Sequence, residues 1–508
     1  MRRPSRIVVG RVIYIALFVA LQAMILLAMF SWFRASFAWY YAAGMVISAL
    51  SVLHVLGDKS NPAYKIAWII PILVFPVFGG PFYFMFRRSR LTRREKKKAG
   101  DNQSRYRAML TGREGDMETL LMREKDALPM ARYLSGSAAA PVWGHTACRY
   151  FPSGEAAYPQ LLRDLKGAEK SIFLEFFIVQ EGAMWNGILD ILEEKARGGV
   201  DVRIMYDDVG SMFTLPALYD KELTRRGLRA RAFSRFTNVS NSRFNNRDHR
   251  KICVVDGKVG YTGGFNLADE YINRRERFGY WKDTAVRMEG DGAASLTALF
   301  LSMWDYAAGQ TEALSDFLPR DRGREETDGW VCPYADSPLD DENVGENVYL
   351  HMISHAKRYI WFTTPYLILD SEMLTALTLA AKSGVDVRIV TPRVPDKRIV
   401  FMATRSNYPA LMEAGVRIYE YTPGFIHAKM ALCDDESAVV GTINLDFRSL
   451  FLHYECAAWF WKGPVVRDVK KDMESVFAAS QRITPEEAKR IVPRRPLPAI
   501  LKVFSPMF

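Results

Sequence analysis

Residues 249–266 read HRKICVVDGKVGYTGGFN, and residues 427–444 read HAKMALCDDESAVVGTIN. In both, a histidine (His249, His427) is followed two residues later by lysine (Lys251, Lys429), and the lysine five residues later by aspartate (Asp256, Asp434). Seven residues on comes glycine (Gly263, Gly441), and three beyond that asparagine (Asn266, Asn444). The same residue types at the same spacings, twice in one chain, mark an internal duplication. Positions i and i+2 of a strand project from one face, so each His–Lys pair points into one site. Asp256 stands at odd spacing from them and opens an Asp-Gly turn, so its expected work is to fix the turn or hold the strand. The glycine-rich loop brings Asn266 back beside Lys251, and Asn444 back beside Lys429. Imidazoles, ammonium groups and amides around one point suit an anionic phosphoryl group. Lysine and asparagine would hold its oxygens, and histidine, titrating near neutrality, would serve attack and proton transfer.

Working outward, the repeat extends upstream of each motif. Residues 168–179 (AEKSIFLEFFIV) read as a helix end running into a strand, followed by a helical stretch to Arg197 and a strand over 199–206 (GVDVRIMY). The second half repeats this with 356–368 (AKRYIWFTTPYLI), a helical 373–382 and a strand over 384–390 (GVDVRIV). Strands alternating with helices predict an α/β fold with a mixed, largely parallel sheet in each half. The stretch 312–346, rich in Asp, Gly, Pro and Arg, reads as a linker.

The N-terminal region differs in kind. The chain has 508 residues and a formal net charge of +11, from 68 Lys+Arg against 57 Asp+Glu. Residues 1–100 hold 15 of the basic residues and only Asp58 and Glu95 as acids, so the remainder carries a net charge of −2. A nucleic-acid binder would carry its basicity on the folded domains, which argues against such a partner. Residues 12–33, 35–57 and 66–86 contain no formal charge, and each is about as long as a hydrocarbon core is thick. Trp32, Trp39, Tyr40, Tyr41, Trp68 and Tyr83 lie near their ends, as membrane-interface residues do. Eight Arg and Lys between Arg87 and Lys98 place the downstream body in the cytoplasm by the positive-inside rule. The basic N-terminus prefers the same side. With Pro71, Pro76, Gly79, Gly80 and Pro81 in the third stretch, two or three crossings are expected, one of them kinked or re-entrant.

Composition excludes other classes. A hydrophobic fraction of 49% is too high for a disordered chain, and five unclustered cysteines exclude a disulfide scaffold or zinc ribbon. His351 and His355 stand at i, i+4 without the glutamate of a zinc-protease motif and read as helix-face residues. Cys253 and Cys433 fall in hydrophobic strands and read as small buried apolar residues.

The HxKxxxxD motif followed by GxxN resembles the phospholipase D superfamily, and within it the bacterial cardiolipin synthases, over nearly the whole chain. The stretches Asp207-Asp208-Val209-Gly210-Ser211 and Asn444-Leu445-Asp446-Phe447-Arg448-Ser449 are similar to those synthases in particular. Gly264 and Thr442 stand where the family commonly has serine. The resemblance implies N-terminal transmembrane helices followed by two phospholipase D-like α-β-α domains in a pseudo-two-fold pair. The expected divisions are a first span over 1–34, further spans over 35–86 and a basic juxtamembrane linker over 87–135. The domains then cover 136–311 and 347–482, joined by 312–346, with an amphipathic tail over 483–508.

The resemblance also implies a phosphatidyltransferase that joins two phosphatidylglycerol molecules into cardiolipin and glycerol through a phosphatidyl-histidine. His249, Lys251, Asp256, His427, Lys429 and Asp434 would be the catalytic set, with His249 as nucleophile and His427 as acid and base. Gly263, Asn266, Gly441 and Asn444 would bind substrate. Asp283, 34 residues past His249, and Glu455, 28 past His427, are the candidate carboxylates for orienting the imidazoles. Lys282 and Arg448 lie near them in sequence. No metal or other cofactor is required. The expected partners are phosphatidylglycerol and the lipid bilayer, without nucleic acid, at a multi-pass location in the cell membrane. A phospholipase D or another headgroup-exchange enzyme would need the same motifs.

Overall fold

A computed structural model describes residues 20–28, 34–58, 61–86, 93–110, 115–235, 246–309, 311–319, 327–340, 342–492, 496–504 and 506. The chain divides into two compact units, one containing the described residues up to Phe86 and the other nearly all of the rest.

In the N-terminal unit, one described helix, Ala38–Leu56, is long and apolar enough to cross a membrane. The first uncharged stretch lies partly outside the described residues. The third does not form one span. It breaks into Pro62–Val74 and Gly79–Phe86, because Pro76 and the paired glycines interrupt the backbone ladder. Asn61 caps the first of these helices through its side chain, which accepts from the Ala63 N–H at 2.9 Å. Small residues let the pieces approach. The Ser48 hydroxyl donates to the carbonyls of Ile72 (3.1 Å) and Pro76 (2.9 Å), and Gly44 and Gly80 lie against Val77 and Ser51.

The second unit contains both halves of the duplication, and their sheets share one strand order. In the first it runs Thr146–Phe151, Ala285–Gly290, Val259–Gly263, Lys251–Val255, Ser171–Phe176, Asp201–Asp207, Arg229–Phe233. In the second it runs Trp330–Asp336, Glu455–Trp461, Ser437–Gly441, Lys429–Cys433, Tyr359–Thr363, Asp386–Pro392, Arg417–Tyr421, with Ser480–Arg482 added at the edge. The sheets are mixed as expected, but antiparallel pairings outnumber parallel ones. Only the last three strands of each shared order run parallel, because the motif forms a hairpin and not a crossover.

The stretch 312–346, expected to be a linker, supplies the edge strand Trp330–Asp336, which pairs with Glu455–Trp461. The expected juxtamembrane linker likewise folds. Helix Arg93–Met109 is tied to the body by Arg105 and Tyr106, both on Asp305, at 2.6 and 2.7 Å. The C-terminal tail carries short helices at Pro485–Ile491 and Leu497–Phe504.

Strand residues explain the core. Alternate positions such as Phe173, Ile252 and Val254 in the first sheet, and Met430, Leu432 and Val440 in the second, are fully buried in one shared apolar cluster. Burial of each such side chain contributes about 1.5–3 kcal/mol. Cys253 and Cys433 are buried, as their strand context implied. His351 and His355 stack at 3.9 Å on helix Val344–His355.

Candidate active site

Each motif histidine sits just before its hairpin, where the chain pairs with the opposite half. The His249 N–H donates to the Tyr454 carbonyl (2.9 Å) and the Tyr454 N–H to the Arg247 carbonyl (2.9 Å), a parallel bridge at Asp248–Tyr454. In the other half Gly424–Ile426 runs parallel to Tyr280–Lys282, and the His427 N–H donates to the Lys282 carbonyl at 2.7 Å. These two seams bring the catalytic candidates together.

The seams also cross the carboxylates over. Glu455 of the second half accepts from His249 Nδ1, with both oxygens at 2.9 Å, and Asp283 of the first half accepts from His427 Nδ1 at 2.7 Å. Both candidate carboxylates therefore hold an imidazole, but each holds the one more distant in sequence. With the proton on Nδ1, the lone pair of each ring is on Nε2, which at His427 faces Lys429 Nζ at 3.0 Å.

The lysines complete the cluster. Lys251 Nζ donates to the His249 carbonyl at 2.6 Å, and Lys429 Nζ to the His427 carbonyl at 2.6 Å. Lys429 Nζ also lies 2.9 and 3.0 Å from the two ring nitrogens of His427. Burial pushes the Lys251 amine down to about 8 and the Lys429 amine down to about 7. Burial, assisted by the neighbouring lysines, lowers His427 to about 4 and His249 well below the ordinary imidazole range. The carboxylates differ. Burial raises the Glu455 carboxyl, whereas at Asp283 the charges of His427 and Lys429 outweigh burial and hold the group ionised.

Asp256 and Asp434 do not join the cluster. Asp256 accepts from the backbone N–H groups of Glu169, Lys170 and Ser171 (2.9, 2.7 and 2.8 Å). Asp434 does the same for Lys357, Arg358 and Tyr359 (2.6, 2.9 and 2.8 Å). Each anchors the start of its central strand from a left-handed turn position, φ +54° in both. Asp256→Ala is therefore expected to destabilise the fold by about 2 kcal/mol while the folded fraction keeps its specific activity. Thermal unfolding alongside activity per folded molecule measures this.

Gly263 and Gly441 also act through packing. A Cβ on Gly263 would lie 2.3 Å from the Thr284 carbonyl, and one on Gly441 2.4 Å from the Ala457 Cβ. Asn266 is engaged at both ends, accepting from the Ile178 N–H (3.0 Å) and donating to the Tyr271 hydroxyl (2.8 Å). Among the described residues the side-chain oxygen of Asn444 is buried without a hydrogen bond. The departures at Gly264 and Thr442 have a physical reason. The Thr442 hydroxyl donates to Glu455, whereas a Cβ on Gly264 would lie 1.9 Å from Asp283 Oδ1. Lys282 turns away from the site, with its Nζ on Asp472 at 2.7 Å.

Sequence reasoning missed the walls. Phe177 packs edge-on against His249 (5.1 Å), Tyr271 against His427 (5.5 Å), and Trp281 lies 5.5 Å from His427. It also missed His453, whose ring centre is 5.7 Å from that of His249 and whose Nδ1 is 3.8 Å from Glu455. Strand alternation is the signal that could have found it, two residues before Glu455. Ligand atoms of His249, His453 and Glu455 lie within 4.8 Å of one another. The cations around them, Arg247, Arg448, Lys251 and Lys397, suit an anion better than a metal dication.

Comparison with known proteins identifies a family. The family described as cardiolipin synthase, PLD-like domain, matches residues 161–304 and 349–477, and a phospholipase D-nuclease N-terminal family matches 46–88. The chain is 36% identical to a cardiolipin synthase of Alkalihalophilus pseudofirmus, over 86% of this chain and 88% of that one. It is 35% identical to a cardiolipin synthase of a Geobacillus species, over 89% and 90%. An uncharacterized protein of Streptococcus mutans is 43% identical over 85% of this chain and 94% of its own length. In fold, a phosphatidylserine synthase of Haemophilus influenzae superposes with a TM-score of 0.53 at 14% identity, covering 71% of this chain and 93% of that structure.

Proposed function

The chain belongs to the cardiolipin synthase family with phospholipase D-like domains, and from that membership we propose a membrane-bound phosphatidyltransferase that makes cardiolipin and glycerol from two phosphatidylglycerol molecules. The observation that carries the reading is the pair of imidazoles, each fixed at Nδ1 by a buried carboxylate of the opposite half and each backed by a buried lysine.

In this reading His249 Nε2 attacks the phosphorus of one phosphatidylglycerol. The P–O bond to the headgroup glycerol breaks, and His427, protonated at Nε2 once the phosphodiester anion is bound, gives that proton to the departing oxygen. A hydroxyl of the second phosphatidylglycerol then enters, His427 takes its proton, and that oxygen displaces His249 by breaking the P–N bond. The inequality of the carboxylates supports this division of labour. Ionised Asp283 favours the imidazolium an acid must pass through, while Glu455 leaves His249 neutral and nucleophilic. The incoming phosphodiester anion raises the proton affinity of His427 and of both lysines at the moment of need.

The same charges set a pH dependence. Without substrate, Lys429 and Lys251 lose their protons as pH rises through about 7 and about 8. Their attraction for phosphate is present below that window and lost above it. Accordingly kcat/KM for phospholipid is expected to fall from pH 6.5 to 9, checked by initial rates in mixed micelles at constant ionic strength.

The helix Ala38–Leu56 supports anchorage, and the basic run after Phe86 supports a cytoplasmic body on a multi-pass anchor. Lipid substrates and product would then stay in the bilayer. The test is to incubate purified protein with phosphatidylglycerol and follow lipid products and free glycerol. Cardiolipin with equimolar glycerol is expected. Phosphatidic acid without cardiolipin would replace the reading with a phospholipase D.

A further inference from the structure

The seams that pair the two halves impose one register on both sides of the site and leave its two sides chemically unlike. On one side the bridge at Asp248–Tyr454 sets Arg247 beside His453 and His249 beside Glu455, so these four side chains share a face. On the other, Phe425 pairs with Trp281, and the same register sets His427 beside Asp283. One strand step outward from the reacting imidazole, the second side presents two aromatic rings whose centres are 4.9 Å apart. The first side presents an arginine and a third histidine.

His453 has an unusual environment. Its backbone N–H is satisfied by the Arg448 carbonyl at 2.8 Å, yet among the described residues neither ring nitrogen makes a hydrogen bond. The side chain is only 11% exposed. A buried imidazole without hydrogen bonds, its Nδ1 no nearer than 3.8 Å to Glu455, carries a desolvation cost that a bound ligand would recover. Burial and the cations Arg448, Arg247, Lys251 and Lys397 hold the ring neutral, able to donate from one nitrogen. Cations around a neutral donor, among them Arg247, whose guanidinium also bonds Ser234 (3.1 Å) and faces Asp207 (3.6 Å), describe a place for an oxyanion. The His453 ring centre lies 5.7 Å from that of the reacting imidazole, a separation comparable with the three-carbon bridge that joins the phosphates of a cardiolipin.

We infer that His453, with Arg247 beside it, forms a second anion subsite that binds the phosphodiester of the acceptor lipid and so selects a phospholipid over a neutral alcohol. The inference rests on the proposed phosphatidyl transfer and specifies its acceptor. His453 forms no bond to phosphorus and moves no proton. It places the acceptor's own phosphate so that the adjoining glycerol hydroxyl reaches the phosphatidyl-histidine.

The test is a competition between acceptors on the full-length protein in phosphatidylglycerol micelles containing ethanol. Cardiolipin and phosphatidylethanol arise from one intermediate, so their ratio is independent of how much enzyme folds. His453→Phe is expected to lower the ratio about tenfold, the loss of one hydrogen bond to a charged group. His453→Gln, which keeps a donor, should lower it less. Soluble glycerol 3-phosphate should depress the ratio in the wild type and do so less in His453→Phe, which separates a free phosphate from a lipid-borne one. An unchanged ratio in His453→Phe overturns the inference while leaving the transfer reading intact. Phosphatidylethanol without cardiolipin from the wild type overturns the transfer reading, and the subsite with it.

Discussion

Replacing His249 with alanine is expected to lower cardiolipin formation by about 10⁴-fold or more, to the level of the uncatalysed background, with the fold retained. The size follows from the role. A nucleophile that forms a covalent intermediate has no substitute, and lysines and dipoles that remain cannot supply the missing bond to phosphorus. His427→Asn should cost less, about 10²- to 10⁴-fold, because water can replace an acid or base imperfectly. The two variants also differ in what accumulates. With His427→Asn the intermediate forms slowly and breaks down slowly, so a phosphatidyl adduct should be found on the peptide bearing His249 when digestion is kept near neutral pH. An adduct on the His427 peptide in the His249→Asn variant would reverse the assignment, and no adduct in either would remove the covalent route.

The second large effect belongs to the crossed carboxylates. Asp283→Asn is expected to slow transfer by about 10²- to 10⁴-fold, as an amide cannot hold the Nδ1 proton and favours the wrong tautomer. Glu455→Gln should cost less, because the Glu455 carboxyl already tends to keep its proton. A double-mutant cycle tests the crossing directly. Asp283→Asn should add little to His427→Asn, since both disable one unit, but should compound with Glu455→Gln. If Asp283→Asn were instead redundant with Glu455→Gln, the two carboxylates would act as one group, contrary to the seams observed.

The duplicated motif made the fold legible because its spacing is a local quantity. Strand alternation puts His249 with Lys251 on one face, and the Asp-Gly turn closes the hairpin, so two equivalent halves follow from short stretches of chain. Asp283 and Glu455 were also within reach, as carboxylates in strand-like runs at comparable distances past each histidine. Their crossing was not. It depends on which half each strand end pairs with, and that register is set by packing between residues 206 apart at one seam and 144 apart at the other. Local alternation sets His453 on the face of Glu455, but its place beside Arg247 exists only across the seam. The strand directions were misjudged because βα repeats suggest parallel sheets, while the motif hairpin and its flanking strands turn most pairings antiparallel. The third apolar stretch was flagged by its prolines and glycines, and its break at Pro76 is the expected outcome of removing backbone donors from a helix.

The crossing has a consequence during protein synthesis. A ribosome that has made His249 must add 206 more residues before Glu455 exists to set its tautomer. At about 5–20 residues per second this takes roughly 10 to 40 seconds. Throughout that interval the nascent chain carries a histidine without its partner. Asp283, completed early, likewise waits for His427. The growing chain therefore holds no finished half-site: each imidazole–carboxylate pair forms only when both halves of the duplication have been made.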